Sequence, residues 1–255
     1  MEDLVLLEKI GNIAILKINR PEAFNALSKK IVDLMDDILE TLKKDEETRV
    51  LIVTGDKHFA AGADIADMVE RTPEEAKAFL FTKTFEKLEN IEMPTIAAIC
   101  GYALGGGLEL ALACDLRIAS DEAQVGLPEI NLGIMPGAGG TVRLPKLIGE
   151  AKAKELIYLG ERLSASEAYE YGIINKIVSK ENLLEEAIKL AEKLAKKAPT
   201  ALRSAKKAIN FSDGKSKADA FNKESEIWAE LFSTHDQKEG MSAFLEKRKP
   251  QYKGE

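Results

Sequence analysis

Two cysteines, two histidines and one tryptophan are all that 255 residues contain of those three types. Cys100 and Cys114 have no CxxC spacing and no Cys/His partner at metal-ligand spacing, so both are read as small buried hydrophobes and no metal is expected. With only His58 and His235, and no serine in either glycine-rich stretch discussed below, a Ser-His-Asp hydrolase is not expected. No apolar run reaches the roughly 18 residues of a membrane-spanning helix. The start, MEDLVLLEKIG, is acidic and has no positively charged region followed by an apolar core, so no signal peptide and a cytoplasmic location are expected. A net charge of -7 and the lack of a basic stripe with interleaved aromatics exclude general nucleic-acid binding. There is no sequence repeat and no low-complexity linker. What remains, 45% hydrophobic and 31% charged, is an ordinary soluble globular composition, enough for one large domain or a domain with a helical appendage.

Strand and helix patterns alternate through the first half, which predicts an α/β layered domain. Leu4 to Ile10 and Ile13 to Asn19 read as strands joined at Gly11-Asn12. Ser28 is a candidate N-cap for a helix with Ile31, Leu34, Met35, Ile38 and Leu42 on its apolar face. Val50 to Thr54, Thr95 to Cys100 and Leu116 to Ala119 read as buried strands, and Ile173 to Val178 as a last edge strand. Thr72-Pro73-Glu74-Glu75 predicts a helix start with a capping box, for a helix running to about Asn90. Ser164 and Glu167 repeat the capping-box pattern. From Ala151 the chain is largely helical, with a face at Leu183, Ala187, Ile188, Ala191 and Leu194. Further helices are expected at 201–211, 217–232 and 238–247, the second with an apolar face of Trp228, Leu231 and Phe232. The expected division is a core over residues 1–195 and a helical region over 196–255.

Three stretches carry the chemistry. In GYALGGGLELALACD, residues 101–115, three consecutive glycines lead from a strand into an apolar helix with Glu109 in its opening turn. First-turn N–H groups have no partner within a helix, so main-chain donors can meet developing negative charge there. Burial raises a carboxylate's pKa and a helix N-terminus lowers it, and the sequence leaves open which prevails at Glu109. Tight packing and simple capping are the alternative roles for such a corner. In DKHFAAGADIADM, residues 56–68, small side chains leave the backbone bare, either to offer N–H groups to a ligand or merely to pack. In VGLPEINLGIMPGAGGTVRLP, residues 125–145, Glu129 again sits among apolar residues. Two carboxylates in apolar, glycine-marked segments suggest a shared acid/base site. GYALGGG does not fit the GxGxxG pattern of a dinucleotide site.

AAGADI (60–65), the 101–115 stretch and GLPEINLGIMPGAGGTVRLP (126–145) together resemble the enoyl-CoA hydratase (crotonase) family, and the likeness runs from NRPEAFNAL (19–27) to SAFLEKRKPQYKG (242–254). The resemblance implies a fold of repeated ββα units with a C-terminal helical trimerisation region, assembled as a homotrimer or a hexamer. It assigns an oxyanion hole to the N–H groups of Ala63 and Gly106, water activation to Glu109 and proton delivery to Glu129. The substrate it implies is an acyl-CoA thioester, held by Ala23, Ala61, Ala63, Asp64, Ile65, Ala66 and Gly106, with Phe244 and Lys247 near the nucleotide end. The implied reaction is reversible syn addition of water to a trans-2-enoyl-CoA, with no metal or redox cofactor. Relatives that lack one glutamate perform isomerisation or other acyl-CoA chemistry, and a non-catalytic acyl-CoA- or RNA-binding scaffold is the remaining alternative. Leu127 stands where a Gln often precedes Pro-Glu, and Ala66 where a Lys often follows Ala-Asp-Ile, which removes a charge near the implied CoA site.

Overall fold

The structure is a computed structural model, and it describes residues 4–79 and 81–255. In chain order the elements are β1 (Val5–Ile10), β2 (Ile13–Ile18), α1 (Lys29–Lys43), β3 (Val50–Gly55), α2 (Pro73–Phe79), α3 (Thr82–Asn90), β4 (Thr95–Ile99), β5 (Tyr102–Leu104), α4 (Gly106–Leu112), β6 (Leu116–Ser120) and β7 (Gln124–Gly126). There follow α5 (Gly140–Ile148), α6 (Glu150–Leu159), β8 (Arg162–Ser164), α7 (Ala165–Glu170), β9 (Lys176–Val178), α8 (Leu183–Ala195), α9 (Pro199–Ser212), α10 (Lys217–Glu230) and α11 (His235–Leu245).

Six strands form one sheet in the order β1-β2-β3-β4-β6-β9, parallel except for the β1–β2 hairpin. Its central strands are continuous apolar runs because both faces are covered. Alternate residues divide between two cores. Ala14, Leu16, Leu51, Val53, Ala97 and Ile99 pack with Ile31, Met35 and Leu39 of α1 and Leu108 of α4. Ile13, Ile15, Val50, Ile52, Ile96 and Ile118 pack against Leu183, Ala187 and Ala191 of α8. The expected helical face of 183–194 is thus the cover of the sheet's second side.

A second sheet, β5-β7-β8, has three-residue strands that the sequence reading did not find. It reveals a structural repeat where there is no sequence repeat. After β4 the chain adds β5 to the small sheet and then forms α4; after β6 it adds β7 and, past a loop, forms α5. After β3 it forms no strand of the small sheet, but makes isolated bridges from Ala60 to Ala103 and from Ala63 to Leu27, before α2 and α3. Each repeat meets different neighbours, so its side chains differ while its backbone path recurs.

Other expectations need adjusting. The helix expected from Pro73 to Asn90 is two helices, Pro73–Phe79 and Thr82–Asn90, with Phe81 outside both. All described side chains of α2 from Pro73 to Ala78 are exposed, whereas Thr84, Phe85 and Leu88 of α3 are buried. Phe81 precedes α3 as its N-cap and packs its ring 5.9 Å from that of Phe85. The last strand is shorter than expected: Ile173 and Ile174 are buried outside it, their N–H groups donating to Ala168 O. In α10 Ile227 is buried, whereas Trp228 and, just past the helix, Phe232 stay exposed and meet edge to face with ring centroids 4.6 Å apart, so the expected apolar face lies outward in the single chain. Ser28, Thr72 with Glu75, and Ser164 with Glu167 cap their helices as the sequence patterns predict.

Candidate active site

Parallel register assembles the site. Ala60 pairs with Ala103, and the chain on each side runs three residues further, to Ala63 and to Gly106. The two segments stay adjacent past the bridge: a Cβ on Gly62 would lie 3.3 Å from the Leu104 oxygen and one on Gly105 would lie 3.8 Å from the Gly62 Cα. A Cβ placed on Gly106 would lie 3.5 Å from the Ala63 nitrogen. Ala63 is held from both flanks: Leu27 N–H donates to Gly62 O at 2.8 Å, and Asp64 N–H donates to Leu27 O at 2.9 Å. Gly106 opens α4, where a helix leaves its first N–H groups without partners. Among the described residues neither the Ala63 nor the Gly106 N–H donates to a protein acceptor. Gly107 sets how closely the two segments approach, because a Cβ there would stand 2.0 Å from the Ala60 carbonyl oxygen.

Glu109 lies in the first turn of α4 and is 2% exposed. Its Oε1 accepts two hydrogen bonds of 2.7 Å, from the N–H groups of Ala138 and Gly140. Burial raises its pKa, opposed by those two N–H groups and by the charge of Arg143. The question the sequence left open is therefore decided by desolvation. Glu129 lies on a 3-10 turn, Pro128–Leu132, directly after β7, and is 9% exposed. Its Oε1 would be 3.1 Å from a Cβ on Gly105, which places it against the glycine corner. Its Oε2 is buried with no hydrogen-bond partner among the described residues. Burial, with the nearby Glu109 charge adding to it, pushes its pKa up to about 7. The two glutamates therefore share one desolvated site beside two unengaged amides.

The 20s and 60s segments, where Ala23, Ala61, Asp64, Ile65 and Ala66 lie, come together as one surface. Ala61 N–H donates to Phe24 O at 3.1 Å. Asp64 caps the 3-10 turn Ile65–Asp67 by accepting from Ala66 N–H, and its other oxygen accepts from Arg20 Nη1 at 2.6 Å. That guanidinium holds the Asp64 carboxyl below the usual carboxylate range. Ile65 and Ala66 are exposed beside it. Phe244, 82% exposed, and Lys247, with a left-handed φ of 56°, lie at the end of α11. Among the described residues no hydrogen bond or ion pair joins these two to the 60s segment. Leu127 is fully buried, against the position a Cβ on Gly140 would take.

The sequence reading passed over Arg20, Arg143 and the Ala138 and Gly140 amides. Arg143 carried the same signal that marked Glu109, a charge in an apolar, glycine-led segment. The amides carry no signal, since any residue supplies an N–H. Among the described residues no group of three or more His, Cys, Asp and Glu is placed to hold a metal ion.

Comparison with known proteins fits this arrangement. The short-chain-enoyl-CoA hydratase of Clostridium acetobutylicum is 45% identical over 249 residues, 96% of this chain and 95% of that protein. The crotonyl-CoA hydratase of Syntrophomonas wolfei is also 45% identical, over 97% of each chain. Crystal structures of an enoyl-CoA hydratase subunit from Geobacillus kaustophilus and an enoyl-CoA hydratase from Bacillus anthracis superpose with TM-scores of 0.96 and 0.95, at 43% and 41% identity. The first covers 99% of both chains, and the second 99% of this chain and all of that one. The α/β architecture of ββα units followed by C-terminal helices is thus the crotonase fold. Residues 8–255 match the enoyl-CoA hydratase/isomerase family, and with the full-length relatives this establishes that the chain belongs to it.

Proposed function

We propose that this chain is an enoyl-CoA hydratase, adding water reversibly to trans-2-enoyl-CoA to give 3-hydroxyacyl-CoA. The observation that carries the reading is the pair of buried carboxylates, Glu109 and Glu129, beside the free amides of Ala63 and Gly106. In the proposed step the thioester oxygen lies between those amides, an oxyanion hole for the charge that develops as water attacks. Ionised Glu109 takes a proton from water as the oxygen bonds to C3, and the C2–C3 π electrons move through the carbonyl onto the thioester oxygen. The enolate then collapses as protonated Glu129 gives its proton to C2. One proton has moved from water to Glu109 and one from Glu129 to substrate; exchange between the carboxyls, or with solvent, restores the site. Isomerisation shuttles one proton between carbons of the same substrate, a task one carboxylate can perform. Two carboxylates suit the delivery of both parts of water.

The relatives' names make crotonyl-CoA the first test substrate. Purified protein is expected to consume it with formation of 3-hydroxybutyryl-CoA; recovery of the enoyl thioester unchanged, or moved to another position without hydration, rejects the reading. A panel of longer enoyl thioesters then fixes chain length. Homo-oligomeric assembly is part of the proposal, supported by the apolar residues Phe221, Trp228 and Phe244 that the single chain exposes on its C-terminal helices.

The pH dependence has a definite sign. Glu129 must be protonated to deliver its proton, and its pKa is about 7. Hydration is therefore supported below that value and lost as pH rises through it. The kcat/KM profile for crotonyl-CoA is predicted to carry an alkaline limb near 7; a profile flat from about pH 6 to about pH 9 speaks against Glu129 as the acid.

A further inference from the structure

Glu109 does not hold itself in place: its Oε1 rests on the N–H groups of Ala138 and Gly140, and those belong to a loop. The other side of that loop is held by Arg143. Its Nη1 donates to the carbonyl of Ala138 at 3.0 Å, and its Nη2 to Glu89 Oε2 on α3 at 2.7 Å. The Nη1 end of the guanidinium lies against Gly139, where a Cβ would stand 1.9 Å from Nη1. Arg143 is 8% exposed, and its Nε is buried with no partner among the described residues.

We infer that Arg143 is a positioning residue for Glu109, reaching it through the backbone of Ala138, and that Glu89 sets how strongly it acts. Ala138 is gripped from both sides, by Glu109 on its N–H and by Arg143 on its carbonyl, so the two successive peptide groups that flank its Cα are both fixed. Fixing Oε1 in this way leaves Glu109 Oε2 to face water. A purely structural ion pair is a poor explanation, because a buried guanidinium with an unsatisfied N–H costs stability that a well-packed apolar residue would not. The charged groups that bear on Glu109 are Arg143 from α5 and Glu129 from the 128–132 turn, with Glu89 behind Arg143 on α3. Arg143 favours the ionised form of Glu109, and the Glu89 charge partly offsets that field.

This rests on the hydratase reading, so wild-type hydration of crotonyl-CoA is established first. The test then compares Arg143→Gln, Arg143→Lys and Glu89→Gln in steady-state kinetics across pH. Arg143→Gln is expected to lower kcat about 10²-fold with KM little changed, the size expected when a catalytic group shifts by about 1 Å. Its acidic limb moves to higher pH, because Glu109 loses a cation. Arg143→Lys keeps the charge, so its limb stays near the wild-type position and part of the turnover returns. Glu89→Gln removes the offsetting anion, so its limb moves to lower pH. Opposite displacements in the Arg143→Gln and Glu89→Gln proteins are a signature that general loosening of the fold does not produce. Limbs that stay in place, or kcat within about twofold of wild type in Arg143→Gln, overturn the inference while leaving the hydratase reading intact. Should both Arg143 variants fail to fold, Glu89→Gln decides alone, a limb at lower pH supporting the inference and an unmoved limb overturning it.

Discussion

Hydration by the Glu109→Gln protein is expected to fall about 10²–10⁴-fold, with CoA binding still measurable and the fold intact. The substitution is nearly isosteric, and the new amide oxygen can still accept from the Ala138 and Gly140 N–H groups that Oε1 now uses. What disappears is the ability to take a proton from water. Glu129→Gln is expected to fall by a similar factor for the opposite reason, since an amide has no carboxyl proton to give to C2. The double variant should be scarcely slower than either single one, because the two groups serve one reaction that the loss of either already blocks. Crotonyl-CoA hydration by all three proteins, alongside CoA affinity by calorimetry, checks this. Wild-type-like turnover in either single variant contradicts the assignment, and loss of CoA binding in both points to a structural role instead.

The second large effect is predicted at a residue that bears no functional group. Gly107→Ala would set a methyl 2.0 Å from the Ala60 oxygen and 2.8 Å from its carbonyl carbon. Both atoms are backbone, so α4 and the 60s segment must separate. Ala63 lies three residues beyond Ala60, and Gly106 is the neighbour of Gly107, so the separation opens the gap between the two amides proposed to hold the enolate. Loss of one such donor elsewhere costs about 10²–10³ in kcat, and a comparable drop is expected here. Neither Glu109 nor Glu129 is replaced, so an alkaline limb should remain. A folded Gly107→Ala protein, as judged by circular dichroism, that turns over at the wild-type rate removes the amide pair from the mechanism.

Much of this arrangement was legible in the sequence, for a physical reason. Strands buried on both faces must be continuous apolar runs, so Val50–Gly55 and Thr95–Ile99 declared themselves. A charged residue inside an apolar helix costs free energy unless it has a task, so Glu109 and Glu129 stood out. The small sheet was not legible. Tyr102–Leu104, Gln124–Gly126 and Arg162–Ser164 are too short to carry a period of two, and they are strands only because each finds a partner. The same limit hid the structural repeat, whose recurring path is fixed by pairing such as Ala60 with Ala103 rather than by recurring side chains. The break between α2 and α3 was missed because one helical period runs through both, although the described side chains of α2 are exposed whereas α3 buries Thr84, Phe85 and Leu88. Arg143 shared the signature of the glutamates, but its role depends on which carbonyl it reaches, and that is a tertiary fact.

The central claim is that two carboxylates on one side of the substrate act together, one activating the water that attacks C3 and the other protonating C2, and stereochemistry tests it most directly. Crotonyl-CoA hydrated by the wild-type protein in deuterium oxide, with the product analysed by proton NMR, is predicted to carry one deuterium at C2 on the same face as the new C3 oxygen. Deuterium on the opposite face, or spread over both, would contradict a site in which Glu109 and Glu129 act together.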